Sequence, residues 1–375
     1  MQRIYFDNAA TTALDPQVLE AMLPFLTEKF GNPSSIYSYG RESKMGIEAA
    51  RKSVAKILGT KPANIFFTSG GTESTNTAMS AAVRDLGVKH IITSPIEHHA
   101  TLHTAEYYEK QGIKLSLVDI LPSGHVDLES LKTLLSEGPQ PVLVSLMHAN
   151  NEIGNLLPIQ EVGEICKAHN AYFHCDTVQT VGHYPLNFSE LNVHFANGAG
   201  HKFHGPKGVG ILYVSDEVQI KPMINGGGQE RNMRAGTENL YGIVGFAKAL
   251  EMATETYEQD STHMRSLKQY MADQLTALIP GVTFNGDWQG ESLYTVLNVS
   301  FPRTDKTEML LMSLDMAGIC VSGGSACSSG ASIGSHVIRC LPNNNEVVPV
   351  RFSFCKHNTT NEIDSVINTL KNILG

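Results

Sequence analysis

The sequence predicts an α/β protein with a large, mostly parallel sheet followed by a smaller α/β unit. Short apolar runs alternate with amphipathic stretches through the first two thirds of the chain, which is typical of strands joined by right-handed helical crossovers. We therefore predict one large domain over residues 15–255. A long helical stretch at 261–279 is followed by a strand, a helix, a strand and a helix. These predict a small C-terminal domain over residues 256–375, with residues 1–14 packing near it.

The individual elements are predicted from the spacing of the apolar residues. Helical spacing occurs in the large domain at residues 16–28, 41–58, 128–136 and 159–169. The strands predicted there are the apolar runs at residues 65–68, 90–93, 115–118, 142–146, 171–176, 193–196 and 210–214. In the small domain we expect strands at 294–301 and 347–354 and helices at 306–316 and 361–374.

The composition is ordinary for a soluble globular protein, with 42% hydrophobic and 17% charged residues in a chain of 375. A net charge of −9 argues against a nucleic-acid partner. Because the sequence contains no apolar signal core and no apolar run of the roughly 18 residues needed to span a membrane, we expect a cytoplasmic protein with no membrane partner. The six cysteines are too irregularly spaced for a disulfide framework or a zinc site, and we predict no metal.

A lysine lies in a glycine-framed loop between two apolar runs. Lys202 fits neither strand pattern, and Asp176 ends a buried strand 26 residues earlier, which leaves room for a crossover to a neighbouring strand. Both side chains would then emerge at one edge of the sheet. A lysine amine can form a Schiff base with a carbonyl, the anchorage used by pyridoxal phosphate (PLP), whose ring nitrogen needs an acidic partner. The alternative is a surface lysine in a turn and an aspartate that caps a helix.

Polar residues follow other predicted strands, where open α/β sheets bind ligands. Glycines at 70 and 71 separate a strand from a helix, so backbone N–H groups there suit a phosphate, although a plain turn also explains them. The imidazole of His98 can stack on an aromatic cofactor. Amides such as those of Asn151 and Gln179 can bond a ring hydroxyl.

Three further stretches carry candidate functional residues. Residues 226–237 combine glycines with two arginines, as expected for an anion-binding loop or a subunit contact. Residues 321–330 form a glycine- and serine-rich loop that presents Cys327, which favours a nucleophile or sulfur carrier over a packing role. Arg351 lies inside an apolar strand, where a buried guanidinium needs either a substrate carboxylate or an internal acid.

Together these motifs resemble cysteine desulfurases of the NifS/IscS group, which belong to the class-V PLP-dependent aminotransferases. The resemblance runs nearly end to end, through residues 5–12, 31–35, 68–74, 97–100, 150–154, 176–179, 201–202, 226–237, 324–329 and 351–353. It implies the fold of aspartate aminotransferase (fold type I), in a homodimer with the active site at the subunit interface.

The resemblance also implies a role for each candidate residue. Lys202 would hold PLP covalently, Asp176 would pair with its ring nitrogen, and His98 would stack on the ring and assist catalysis. The ring oxygen would bond Asn151 and Gln179, and the phosphate would bond Gly71, Thr72, His201 and, from the other subunit, Thr237. The substrate L-cysteine would bind through Arg351, with Asn151 beside it, and Cys327 would take its sulfur as a persulfide. An acceptor protein for iron–sulfur cluster or other thio-cofactor assembly would then receive that sulfur.

Several positions depart from the family pattern. Ala199 replaces a serine that binds the phosphate, Tyr37 replaces a histidine, and residues 354–356 replace Leu-Gly-Arg. The sequence ends at Gly375, where many housekeeping members continue into a segment that docks an iron–sulfur scaffold, so the acceptor stays open. The alternatives are another class-V activity, such as a selenocysteine lyase or a transaminase, and a non-catalytic persulfide relay subunit.

Overall fold

Twelve strands and thirteen helices form the part of the chain that the computed structural model describes, residues 3–324, 334–342 and 346–375. In chain order the strands are β1 (Ile4–Tyr5), β2 (Ile65–Thr68), β3 (His90–Thr93), β4 (Lys114–Leu117), β5 (Val142–Met147), β6 (Tyr172–Asp176), β7 (Phe195–Ala199), β8 (Gly210–Val214), β9 (Thr283–Asn285), β10 (Val296–Pro302), β11 (Ile319–Cys320) and β12 (Val347–Ser353).

The helices surround these strands. They are α1 (Pro16–Thr27), α2 (Ser38–Ile57), α3 (Gly71–Arg84), α4 (His99–Glu109), α5 (Leu128–Glu137), α6 (Ile159–Ala168), α7 (Gln229–Asn232), α8 (Leu240–Glu255), α9 (Tyr257–Leu278), α10 (Asp305–Glu308), α11 (Leu310–Met316), α12 (His336–Arg339) and α13 (Thr360–Leu374). A short 3₁₀ turn, Gly200–Lys202, follows β7 directly.

The main sheet has seven strands in the order β2-β8-β7-β6-β5-β3-β4. Strands β7, β6, β5, β3 and β4 run parallel, whereas β8 is antiparallel to both of its neighbours. All six residues of β5 are buried, as expected for a strand covered on both faces. The mostly parallel α/β sheet predicted from the sequence is therefore confirmed.

A second, three-stranded sheet holds the C-terminal part of the chain together. In it β10 pairs in antiparallel fashion with β12 and β9. Its apolar core includes residues of α9 and α13 such as Met271 and Val366. The first strand joins this unit, because β1 pairs in parallel with β11. The domain boundary between residues 255 and 256 stays a prediction.

One strand differs from its prediction in a way that matters for the site. The apolar run predicts a strand at 193–196, whereas β7 covers Phe195–Ala199. Asn192 adopts a left-handed φ of 51°, which delays the start of the strand. The strand then continues through Asn197 and Gly198, which carry no apolar signal but are fully buried in the sheet. This shift carries Ala199 to the edge of the sheet.

Candidate active site

The carboxyl ends of the parallel strands β5, β6 and β7 open into a cavity of about 870 Å³. Nine of the eleven residues predicted for the site line this cavity. They are Gly71, Thr72, His98, Asn151, Asp176, Gln179, His201, Lys202 and Arg351.

Two predicted residues are not in that group. Cys327 lies outside the described residues. Thr237 is exposed and lines a different cavity, next to Arg234. The sequence predicts that Thr237 binds the cofactor phosphate of the other subunit. Thr237 lies outside the cavity that contains Lys202 of its own chain, which is compatible with that prediction.

Lys202 and Asp176 reach the cavity from neighbouring strands. Asp176 is the last residue of β6 and lies opposite Asn197 of β7, and Lys202 follows β7 by three residues. The Lys202 amine donates hydrogen bonds to the carbonyls of Ala9 (2.7 Å) and Ala10 (2.9 Å). Sequence reasoning missed this contact, although residues 5–12 belong to the family motifs. Asp176 is 8% exposed, and its Oδ1 accepts a hydrogen bond from the backbone N–H of Val178 at 3.0 Å.

The helix α3 starts at the rim of the cavity without a side-chain cap. Its N-cap, Gly70, has φ of 150°, which only glycine adopts readily. A Cβ on Gly71 would lie 2.7 Å from Cγ2 of Val178, so only glycine fits there as well. The first N–H groups of the helix therefore have no side-chain partner at the N-cap. They lie at the positive end of the helix dipole, which can bind an anion.

Two histidines lie at the cavity in their neutral forms. His98 is the N-cap of α4, and its Nδ1 accepts a hydrogen bond from Ala100 N at 3.1 Å, so the proton of the neutral ring is on Nε2. Burial lowers the pKa of His98, and Asp176 opposes that effect. Burial likewise lowers the pKa of His201 to about 4, with a further contribution from Lys202. The ring of His201 also hydrogen-bonds Oγ1 of Thr11 through Nδ1 at 3.2 Å.

The amide of Gln179 donates from Nε2 to the carbonyl of Ala9 at 3.1 Å, which leaves its oxygen for another partner. Asn151 lies in the turn that follows β5. Ala199, at the end of β7, is 2% exposed and also lines the cavity. A hydroxyl is therefore missing at the position where the family pattern places a serine.

Arg351 combines both of the alternatives predicted for it. It lines the cavity and is 1% exposed. Its Nη2 donates to Oδ1 of Asp7 at 2.6 Å and its Nη1 to the carbonyl of Asn151 at 2.7 Å. Its Nε has no hydrogen-bond partner among the described residues. The guanidinium is thus paired with an internal acid, Asp7, and also faces the cavity, where a substrate carboxylate could reach it.

A buried carboxyl group lies beside the cavity. Glu97, directly before His98, is 1% exposed. Its Oε1 accepts a hydrogen bond from Ser94 Oγ at 2.7 Å, and its Oε2 has no partner in the described part of the chain. Burial, with a smaller contribution from the nearby Asp176, raises the pKa of Glu97 to about 8. Glu97 is therefore a neutral acid at pH 7.

A neighbouring cavity of about 630 Å³ shares Lys202, Gln179 and Ala9 with the first. It contains the ion pair between Lys356 and Asp15 (3.0 Å). It lacks the start of α3, His98 and Asp176, so the residues predicted to bind the cofactor meet in the first cavity rather than in this one.

The thiols in the core of the main sheet are poor nucleophiles. Cys166 and Cys175 are fully buried. Burial raises the pKa of Cys166 to about 12 and that of Cys175 well above its usual value. Their burial is that of small core residues.

Comparison with known proteins identifies the family. The sequence model of the family "Aminotransferase class-V" matches residues 4–366 of this chain. The chain belongs to this family. The cysteine desulfurase IscS of Dictyoglomus turgidum is 43% identical to this class-V aminotransferase, over 100% of this chain and 95% of the relative. A NifS-like protein of known structure superposes with a TM-score of 0.91 at 39% identity, covering 100% of this chain and 99% of the other. The structure of SspA in complex with cysteine gives a TM-score of 0.81 at 29% identity, covering 96% and 100%.

These findings confirm the family, the fold and the dependence on PLP that the sequence predicts. The residues at the cavity fit PLP: the glycine-bounded start of α3 suits its phosphate, the buried Asp176 suits its ring nitrogen and the Lys202 amine suits its aldehyde. Among the described residues, none of the helices combines the length and the apolar character that crossing a membrane requires.

Replacing Glu97 with glutamine will change how stability depends on pH. The folded protein keeps the Glu97 proton up to about pH 8, whereas the unfolded chain releases it above about pH 4.5. The free energy of unfolding of the wild type therefore falls between these pH values, by about 1.4 kcal/mol for each unit of pKa shift. The glutamine variant lacks this dependence, so its stability relative to the wild type rises with pH. Thermal unfolding at pH 5, 6.5 and 8 measures the difference, and a constant difference would contradict the assignment.

Replacing Ala199 with serine will strengthen cofactor retention. A serine hydroxyl adds one hydrogen bond to a charged acceptor, which corresponds to about tenfold in affinity. The wild type should lose PLP on dialysis faster than Ala199→Ser, and more so in phosphate buffer. Absorbance of the bound cofactor follows the loss. Equal retention by the two proteins would show that another group already fills this role.

Proposed function

We propose that the protein is a PLP-dependent cysteine desulfurase that moves the sulfur of L-cysteine to Cys327 and then to an acceptor protein for iron–sulfur cluster or other thio-cofactor assembly. The observation that supports this most strongly is that one cavity brings together Lys202, Asp176, His98 and Arg351. The relative named cysteine desulfurase and the cysteine complex of a structural neighbour support the same substrate.

Arg351 binds the α-carboxylate of L-cysteine in this proposal. A guanidinium and a carboxylate form paired hydrogen bonds, and in this structure Asp7 occupies one of those positions. The substrate carboxylate takes over from Asp7 when L-cysteine enters. Because Arg351 is buried and strand-borne, it fixes the substrate without a change in the backbone.

Lys202 and His98 handle the protons. PLP, when bound, supplies an electron-withdrawing ring that stores the electron pair released at the substrate Cα. With PLP bound, the Lys202 amine would take the proton from the substrate Cα. Neutral His98 presents an N–H at Nε2, which can orient the reacting group through a hydrogen bond, and the ring would deliver a proton only after it has itself been protonated. Asp176 would pair with the ring nitrogen of PLP.

The sulfur step needs no external oxidant. The thiolate of Cys327 attacks the sulfur of the substrate, so an S–S bond forms while the bond between Cβ and sulfur breaks. The electron pair of the broken bond stays with the carbon part, and Cβ takes up a proton. Carbon is reduced and the two sulfurs are oxidised by the same amount. The products are alanine and a persulfide on Cys327.

A homodimer completes the site in this proposal. Thr237 lies outside the pocket of its own chain, so its predicted phosphate contact requires a second copy. The apolar residues Phe30, Ile36 and Met45, which lie before and along α2, are exposed and available for such a contact.

Replacing Cys327 with alanine will separate sulfur chemistry from carbon chemistry. The Cys327→Ala variant keeps every described cavity residue, so it should bind PLP and change its spectrum with L-cysteine, yet form no persulfide and lose alanine production by at least about 100-fold. The matched variant Lys202→Ala should fail at the earlier spectral step. Mass spectrometry after cysteine treatment locates the added sulfur. Sulfur on another cysteine of the wild type, or full alanine production by either variant, would overturn the proposal.

Replacing Arg351 with lysine will weaken substrate binding more than it slows turnover. Lysine keeps the charge but loses the paired geometry, at a cost of about 1.5 to 3 kcal/mol. The KM for L-cysteine should rise about 10- to 100-fold, while the spectrum of the bound cofactor stays unchanged. Steady-state kinetics measures this. An unchanged KM would assign Arg351 to its ion pair with Asp7 alone.

A further inference from the structure

The segment from Gly226 to Thr237 is held in an unusual backbone conformation. Three consecutive residues of α7 that are not glycine, Glu230, Arg231 and Asn232, have φ of 44°, 56° and 67°, so this short element is not a regular right-handed helix. Each is in the left-handed region that disfavours residues with a Cβ. Such a turn persists only where side chains hold it, and two carboxylate contacts do so here.

The first contact fixes the turn to the body of the protein. The guanidinium of Arg51, on α2, bonds both carboxylate oxygens of Glu230 at 2.8 Å. The side chains of both residues are only 2% exposed. Glu230 Oε2 also accepts the backbone N–H of Phe67 in β2 at 2.9 Å. This part of the segment is therefore anchored to α2 and β2.

The second contact joins the segment to the start of α3. Arg234 donates from Nε to Oε1 of Glu73 at 2.9 Å and from Nη2 to Oε2 at 3.2 Å. Glu73 Oε2 also accepts the backbone N–H of Ser69 at 2.9 Å. Glu73 is in the first turn of α3, directly after Gly71 and Thr72, which line the cofactor cavity. A shift of this helix start is therefore transmitted to Arg234.

We propose that Arg234 is a positioning residue that, through Glu73, holds Thr237 in place for the cofactor phosphate of the partner subunit. Thr237 follows Arg234 by three residues and is exposed outside its own pocket. One ion pair thus connects the phosphate end of one pocket with the residue that completes the other. The inference rests on the proposed function, a PLP-binding homodimer.

Mixed dimers test whether Arg234 acts on the partner's pocket. Two differently tagged chains are expressed together and purified on both tags, and one of them carries Lys202→Ala so that only the other binds PLP covalently. Arg234→Met is placed either in the PLP-holding chain or in its partner. We expect PLP loss on dialysis to accelerate about tenfold when the change is in the partner, and much less when it is in the PLP-holding chain.

Two further variants make the test specific. Arg84→Met removes an arginine at the other end of α3 that bonds the carbonyls of Lys221 and Pro222; it should leave PLP loss unchanged. Glu73→Gln breaks the same pair from its other side, and it should add little to Arg234→Met when both are combined. Hydrogen exchange over residues 226–237 should increase in Arg234→Met and return toward the wild type in Arg234→Lys.

The outcomes separate this inference from the proposed function. A PLP-bound wild-type dimer with equal loss from both mixed dimers, or greater loss when the change is in the PLP-holding chain, would overturn the inference alone. A monomeric wild type would overturn the dimer and the inference together. Faster loss with the change in the partner, combined with a silent Arg84→Met, supports Arg234 as the positioning residue.

Discussion

The candidate site depends on one constraint, the register of the parallel strands β5, β6 and β7. Met147 lies opposite Asp176, and Asp176 lies opposite Asn197, so three strand ends open at the same edge. A slip of one residue would turn Asp176 to the other face of the sheet. The buried apolar residues of β5 and β6 prevent such a slip, because they would lose their packing. The chemistry of the site therefore rests on a core that contains none of the reacting groups.

Part of this arrangement was predictable because charged residues interrupt apolar runs. Asp176 ends such a run, Lys202 follows one and Arg351 lies within one, and a polar group at the end of a parallel strand points to a ligand site. The same reasoning produced two partners for Arg351, and the structure pairs it with Asp7 while leaving it at the cavity. The individual roles of these residues stay predictions, since they rest on a bound cofactor and substrate.

Other parts of the site leave no signal in a single sequence. The amine of Lys202 is held by the carbonyls of Ala9 and Ala10, and every residue type offers a carbonyl. Asn197 and Gly198 of β7 are buried but are not apolar. The strand predicted from apolar residues therefore ended at residue 196, before the observed end of β7. The left-handed turn starts at Glu230 and Arg231, two residue types with no preference for positive φ, and the buried ion pair of Glu230 with Arg51 holds it.

Two buried thiols, Cys166 of α6 and Cys175 of β6, have a consequence for an enzyme that handles reactive sulfur. A persulfide passes its outer sulfur readily to other thiolates, so each ionised cysteine of the enzyme is a competing sink that would divert its product. Cys175 lies directly before Asp176, close to the reaction, yet burial keeps its thiol protonated. Cys166 behaves in the same way. The low dielectric of the core thereby keeps these two thiols from competing for the sulfur, although both stay in the sequence.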